Sequence, residues 1–204
     1  MFYNIYKSHL NIIYFLLIIM ITKLLGFIFY NIVNFFFEFY NTKKLAMNYT
    51  SLIHATTACI VWIYGDPYIF KINTGGYFLF DICYLIRNRE LNLLHGLYYY
   101  HHCVCLYYMS MDPTKYNWFN IIAVGELSNI PTYIVYYYLK TDLYHTNLKK
   151  WKIIQKVWYG LLRLIVLSYM TYNEITDPGK TLIVLPILPV YFMGLLWTFA
   201  IFSL

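Results

Sequence analysis

The chain has 204 residues, of which 61% are hydrophobic and only 12% are charged. Because the apolar share of a soluble domain is nearer ~45–50%, this composition excludes an ordinary soluble protein and predicts a single membrane-embedded domain. The net charge of +6 comes mainly from lysines that separate apolar runs. Such a distribution argues against a nucleic-acid partner and for anchoring at a membrane surface.

Seven apolar runs predict an all-α fold, a multi-pass transmembrane bundle of about seven helices. The predicted runs are 10–37, 47–64, 77–86, 91–111, 117–139, 153–172 and 181–202. The first exceeds the ~20 residues that cross the hydrocarbon and lacks a small-residue cleavage site, so we interpret it as a retained span. Lys23, in its middle, is interpreted as a snorkelling or helix-facing side chain, with a functional role as the alternative.

The third run, 77–86, is short because Gly75 and Gly76 are interpreted as part of a turn before it. It crosses only if it is tilted or extended, and otherwise forms a re-entrant element, which leaves six crossings. Pro131 predicts a kink in the fifth helix.

The distribution of lysine and arginine predicts the orientation. If all seven runs cross, Lys7, Lys71, Lys115 and Lys180 lie on the N-terminal side, and the other side holds Lys43, Lys44, Arg87, Arg89, Lys140, Lys149, Lys150 and Lys152. The positive-inside rule then places the C-terminus in the cytosol.

Ionisable side chains within the apolar runs form the candidate site, since such groups are costly in hydrocarbon and typically functional. The candidates for catalysis are Asp81, His101, His102 and Glu126, and the further candidate lipid-site or structural residues are His54, Ser128 and Arg163. With a rise of ~1.5 Å per residue, the histidine pair, Glu126 and Arg163 come out at one depth, and Asp81 and His54 lie on opposite sides of it.

Each candidate also has a structural interpretation. A membrane histidine can be a hydrogen-bonded packing residue, and Glu126 and Arg163, each costly alone, are expected to be neighbours in an ion pair. Cys103 and Cys105 beside the histidines raise the question of a metal site. Because these side chains project in different directions from one helix and no second ligand cluster follows, the sequence predicts neither a metal nor another cofactor.

Four short motifs carry a resemblance to a known family. They are Ser51-Leu52-Ile53-His54-Ala55, Gly76-Tyr77-Phe78-Leu79-Phe80-Asp81, His101-His102 and Glu126-Leu127-Ser128 with a nearby proline. In this order they resemble the TLC-domain family, which includes ceramide synthases, translocating-chain-associating proteins and a ceroid lipofuscinosis protein. The resemblance assigns 1–42 to an N-terminal lead and first span and 43–204 to the TLC domain.

Within this family the chain is most similar to the small proteins that are not synthases. The synthases carry His-Asp and a further Asp downstream of the histidine pair, where this chain has Glu126-Leu127-Ser128. The resemblance implies a protein of the endoplasmic reticulum or another internal membrane whose partners are membrane lipids, acting in lipid metabolism, sensing or organisation.

The alternative is an acyltransferase of the ceramide-synthase type that uses acyl-CoA. In that mechanism His101 or His102 acts as base or nucleophile toward a thioester, and Glu126 or Asp81 orients the imidazole. Exclusion of water from the apolar site would limit hydrolysis of the thioester.

Overall fold

The computed structural model describes the backbone of residues 2–88, 93–141 and 146–203, and their side chains except at 2–20, 93–95, 146, 182 and 183. Within these ranges all regular structure is helical, which confirms the predicted all-α class. The helices are α1 (Phe2–Tyr40), α2 (Lys43–Tyr64), α3 (Pro67–Arg87), α4 (Leu93–Met109), α5 (Trp118–Lys140), α6 (Thr146–Gly160), α7 (Ser168–Thr176), α8 (Thr181–Val184) and α9 (Ile187–Ser203). A π-helical segment, Leu161–Leu167, joins α6 to α7.

The turn between α2 and α3 explains why the third helix starts early. Gly65 adopts a left-handed conformation (φ 75°) that ends α2, and the Asp66 carboxylate accepts hydrogen bonds from the amides of Tyr68 and Ile69 at 2.8 and 3.0 Å. Pro67 follows at the first helical position, where no amide hydrogen is needed. The helix begins here because the cap satisfies its first free amides.

The predicted start of the third run at residue 77 is therefore wrong, since α3 begins at Pro67 and spans 21 residues. Gly75 and Gly76 lie within the helix and are buried. A Cβ atom at Gly76 would come within 2.5 Å of the Gly26 Cα atom on α1. The glycines are thus explained by a close crossing of two helices, with no turn at this point.

Helices α1 and α3 pack in parallel, and Lys23 on α1 lies beside Gly75 on α3. The aliphatic part of Lys23 lies against Gly75, and at the other end Glu38 approaches Arg87 at 3.8 Å. Lys23 is therefore level with the ninth of the 21 residues of α3, between the two ends of that helix.

Two prolines have different effects on their helices. Helix α5 continues through Pro131. Proline has no amide hydrogen and leaves the carbonyl of Leu127 free, but the Trp158 indole N–H donates to that carbonyl at 3.0 Å. By contrast, the predicted last helix is divided at Leu185 and Pro186, which separate α8 from α9.

A charged cluster closes the end of the bundle where α5 begins and α7 ends. The Glu174 carboxylate accepts a hydrogen bond from the Asn117 amide at 3.0 Å and lies 3.7 Å from the Lys180 ammonium. Lys180 also lies 3.1 Å from Asp177. The hydrogen bond from Lys180 lowers the pKa of Asp177, and the same contact raises the pKa of Lys180.

The outer surface of the bundle is apolar and its interior holds polar groups. Large apolar side chains face outward, among them Phe35, Phe39 and Ile63 with 73%, 76% and 78% exposure. His54 and Ser128 are fully buried, and Arg163 is only 6% exposed. The bundle therefore combines a hydrophobic core that contains several buried polar groups with an outer surface rich in large apolar side chains.

Two of the described helical stretches are long and apolar enough to cross a membrane by length and composition. They are Ile21–Tyr40 in α1 and Asn147–Thr176, which covers α6, the π-helical segment and α7. Ile187–Ser203 in α9 is apolar but shorter. These stretches are compatible with a membrane-associated chain.

Candidate functional site

Two histidine–carboxylate pairs link four helices in the centre of the bundle. His54 on α2 directs Nε2 toward Glu126 on α5, with 3.5 Å between Nε2 and Oε2. His102 on α4 directs Nδ1 toward Asp81 on α3, with 3.0 Å between Nδ1 and Oδ2. All four residues are buried. Each carboxylate therefore has a histidine partner in a region with little access to water.

The first pair is fixed in place by aromatic side chains. The Tyr77 ring stacks on the His54 imidazole with 3.9 Å between centroids and a 7° interplanar angle. The Tyr77 hydroxyl lies 2.8 Å from Ser51 Oγ, and the Tyr30 hydroxyl lies 3.4 Å from His54 Nδ1. With both ring nitrogens close to polar groups and one ring face covered, His54 has the surroundings of a positioned, structural histidine.

The second pair, like the first, approaches closely without forming an aligned hydrogen bond. The Phe78 ring stacks on His102 with 4.7 Å between centroids. Although Nδ1 is close to Asp81, the alignment falls short of that of a hydrogen bond, and no other partner of Nδ1 lies among the described residues. His102 thus keeps hydrogen-bonding capacity that a small movement or a ligand can use.

His101 lies beside His102, with 5.2 Å between ring centroids. Its Nε2 is 4.0 Å from Cys105 Sγ, one helical turn away, and its buried Nδ1 has no partner within the described part of the chain. Both histidines line the same cavity, although adjacent helical positions differ by ~100°. Nε2 of His54 likewise has no hydrogen-bond partner among the described residues, but His101 and His102 differ from it in lining the cavity, where a ligand can reach them.

Arg163 is the third residue of the π-helical segment and turns its guanidinium toward α5. Its Nε donates to Ser128 Oγ at 2.8 Å, and its Nη2 donates to Asn129 Oδ1 at 3.1 Å and to the Gly125 carbonyl at 3.4 Å. Glu126 and Arg163 line the same two cavities, but the predicted ion pair between them is wrong, because the carboxylate faces His54. The rotation of α5 directs Glu126 toward α2. The same rotation presents the neutral groups of Gly125, Ser128 and Asn129 to Arg163.

A cavity of about 420 Å³ lies between α2, α3, α4, α5, α6 and α9. Its walls include Asp81, both adjacent histidines, Glu126 and Arg163. A smaller, mainly apolar cavity of about 60 Å³ continues from it. His101, Glu126, Asn129 and Arg163 line both cavities, so the polar groups lie where the two spaces meet.

No family model, curated protein or solved structure matches this chain.

The geometry permits proton transfer and binding of a polar group within an apolar surrounding. A histidine close to a carboxylate can act as a general base, since the carboxylate stabilises the imidazolium that forms. A volume of several hundred cubic ångströms is typical of small-molecule sites, and the wall of this cavity combines charged and polar side chains with aromatic and aliphatic ones. Among the described residues, no group of three or more histidine, cysteine or acidic side chains is placed to hold a metal ion.

Several residues of the site were not among the predicted candidates. Asn129 holds Arg163, Tyr77 covers His54, and Tyr133 and Trp197 line the large cavity. Asn129 directly follows the predicted Ser128, and this adjacency is the signal that could have found it. The aromatic residues could not be singled out, because the chain has 25 tyrosines and 15 phenylalanines.

Proposed function

We propose that this chain is a multi-pass membrane protein of the TLC-domain type that binds a membrane lipid in its central cavity, and that it acts in lipid metabolism, sensing or organisation. The observation that carries the proposal is the cavity between the helices, which is lined by buried ionisable side chains in an otherwise apolar bundle. Lipids combine a polar headgroup with apolar chains and match such a surface.

The helix lengths support a bundle that crosses the membrane several times. Helices α2, α3 and α5 contain 22, 21 and 23 residues, about 31–35 Å at 1.5 Å per residue, close to the ~30 Å hydrocarbon core. The length of α3 favours a third crossing over a re-entrant element. With seven crossings, the positive-inside rule leaves the C-terminus in the cytosol. The proposed membrane is that of the endoplasmic reticulum or another internal compartment.

Orientation has its own test. A reporter that is active only in the cytosol, fused after Leu204, should be active, and a cysteine introduced at the exposed Lys149 near the start of α6 should be labelled from the cytosolic side. A lumenal C-terminus would contradict the proposed seven crossings.

Lipid binding is tested by purifying the protein in mild detergent and identifying bound molecules by mass spectrometry. A stoichiometric intact lipid supports the binding function. The absence of any lipid, from protein that is folded and membrane-inserted, would contradict it.

An acyltransferase is the second candidate, favoured by the 3.0 Å approach of Asp81 to His102 at the cavity wall. In this reaction His102 accepts a proton from a hydroxyl or amine that attacks the thioester carbonyl of acyl-CoA. The carbon–sulfur bond then breaks and the leaving thiolate takes up the proton. Asp81 stabilises the imidazolium between these steps.

The double variant His101→Gln, His102→Gln separates the two functions. Glutamine approximates the size of histidine but cannot relay a proton, so a catalytic role predicts loss of a lipid-dependent phenotype, with the rate reduced by ~10²–10⁴-fold. The folded, membrane-inserted fraction serves as the control. A normal phenotype would exclude the acyltransferase and leave lipid binding in place.

A further inference from the structure

Arg163 is a buried cation surrounded by neutral hydrogen-bond acceptors. Only 6% of the residue is exposed, and its partners on α5 are a hydroxyl, an amide and a backbone carbonyl. Within the described residues no carboxylate lies within 4.0 Å of it. Glu126 lines the same cavity but lies beyond the 4.0 Å of an ion pair, so the buried guanidinium has no directly bonded counter-charge.

The nearby carboxylates are engaged elsewhere. Glu126 lies 3.5 Å from His54, and Asp81 lies 3.0 Å from His102. With each carboxylate beside its own histidine, Arg163 is the ionised group of the cavity that has no ionic partner among the described residues.

The local backbone and side chains make room for the guanidinium and hold it at the cavity wall. A Cβ atom on Gly194 would lie 2.9 Å from Arg163 Nη1, so this glycine leaves space that alanine would fill. The Tyr159 ring lies under the guanidinium at 4.9 Å. Arg163 belongs to a seven-residue π-helical segment, and π-helical turns occur frequently at functional sites.

From this arrangement we infer that Arg163 binds the anionic group, a phosphate or a carboxylate, of the ligand in the central cavity. Guanidinium binds both groups through charge-assisted hydrogen bonds. The smaller, mainly apolar cavity adjoins Arg163 and gives space for the first part of an apolar chain. This inference rests on the proposed lipid-binding function and narrows its ligand to anionic lipids.

The test measures thermal stability of the full-length protein in detergent with four probes. They are dioleoyl phosphatidic acid, oleic acid, uncharged dioleoylglycerol and inorganic phosphate. We expect phosphatidic acid or oleic acid to raise the Tm of the wild-type protein, and dioleoylglycerol to have a much smaller effect. If dioleoylglycerol raised the Tm as much as the anionic lipids do, the inference would be overturned. This comparison uses the wild-type protein alone.

The variant Arg163→Gln should weaken binding of the anionic lipid by about ten- to hundredfold, as expected for loss of a hydrogen bond to a charged group. Lys156→Gln removes a cation on α6 that is outside the cavity lining and should bind like the wild type. If Arg163→Gln does not fold, Gly194→Ala keeps the charge but displaces the guanidinium, with Gly96→Ala as its control because nothing lies within 4 Å there.

The outcomes distinguish this inference from the function on which it rests. If charged and uncharged lipids bind equally well, or if the anionic lipid binds Arg163→Gln as tightly as the wild type, the lipid-binding function stands and the role of Arg163 is refuted. If none of the lipids binds the folded protein, the lipid-binding function is refuted as well. A response to inorganic phosphate equal to that of phosphatidic acid would assign the anion to a free phosphate and refute a lipid ligand.

Discussion

Replacing Gly76 with alanine tests the close contact of α1 and α3 on which the position of the site depends. The new Cβ atom would lie 2.5 Å from the Gly26 Cα atom and 2.7 Å from the Phe27 amide nitrogen. Ordinary contacts of this kind are 3.4–4 Å, and both obstacles are backbone atoms that cannot rotate away. The two helices must therefore separate by about 1 Å, or the chain must bend, which is the situation of an overpacked core.

The expected cost is about 1–3 kcal/mol, reduced by the ~1 kcal/mol gain in helix propensity from glycine to alanine. The change should also disturb the site, because Tyr77 and Phe78, the next two residues, stack on His54 and His102. Thermal and denaturant unfolding in detergent measure the loss of stability.

The matched control is Gly125→Ala on α5, where nothing lies within 4 Å of the added Cβ atom. That variant should be as stable as the wild type or slightly more stable, since only the propensity gain applies. If Gly76→Ala is as stable as Gly125→Ala, the glycine contact between α1 and α3 does not exist as described.

Three further predictions concern single contacts. Trp158→Phe should destabilise the protein by about 1 kcal/mol in denaturant unfolding, because the carbonyl freed by the proline in α5 loses its donor, and an unchanged stability would contradict this role. The hydrogen bond from Lys180 lowers the pKa of the Asp177 carboxyl in the folded protein. The ionised carboxylate therefore stabilises the fold above the pKa that Asp177 has in the unfolded chain, and this stabilisation is lost as the pH falls through the lower pKa of the folded protein. The variant Asp177→Asn should flatten this acid limb of a Tm-versus-pH curve, and an identical limb would refute the assignment. A double-mutant cycle of Asp81→Asn with His102→Gln should give a coupling energy of about 0.5–3 kcal/mol, whereas additive effects would show that the two side chains do not interact.

The sequence could predict the helices and the residue types of the site, because both depend on local patterns. Apolar runs of about twenty residues specify helices, and ionisable groups within them are conspicuous. The start of α3 could not be predicted in this way. Gly75 and Gly76 are equally suited to a turn and to a close helix contact, and only the position of Gly26 on another helix distinguishes them.

The pairing of the ionisable residues also depends on the rotation of neighbouring helices. Depth along the membrane placed Glu126 and Arg163 together, but depth carries no information about direction. In the fold Glu126 faces His54 on α2, and Arg163 faces Ser128 and Asn129. The sequence likewise could not separate the effects of its prolines, because continuation of α5 depends on a donor from α6.

The most direct test of lipid binding in the central cavity is native mass spectrometry of the purified protein with a variant that blocks the cavity. Ala200 lines the large cavity on α9, so Ala200→Trp should fill part of it. Ile60 faces outward on α2 with 48% exposure, and Ile60→Trp is the control. We expect one bound lipid on the wild type and on Ile60→Trp, and its loss from Ala200→Trp. Retention of the same lipid by a folded Ala200→Trp protein, or its absence from the wild type, would contradict the account.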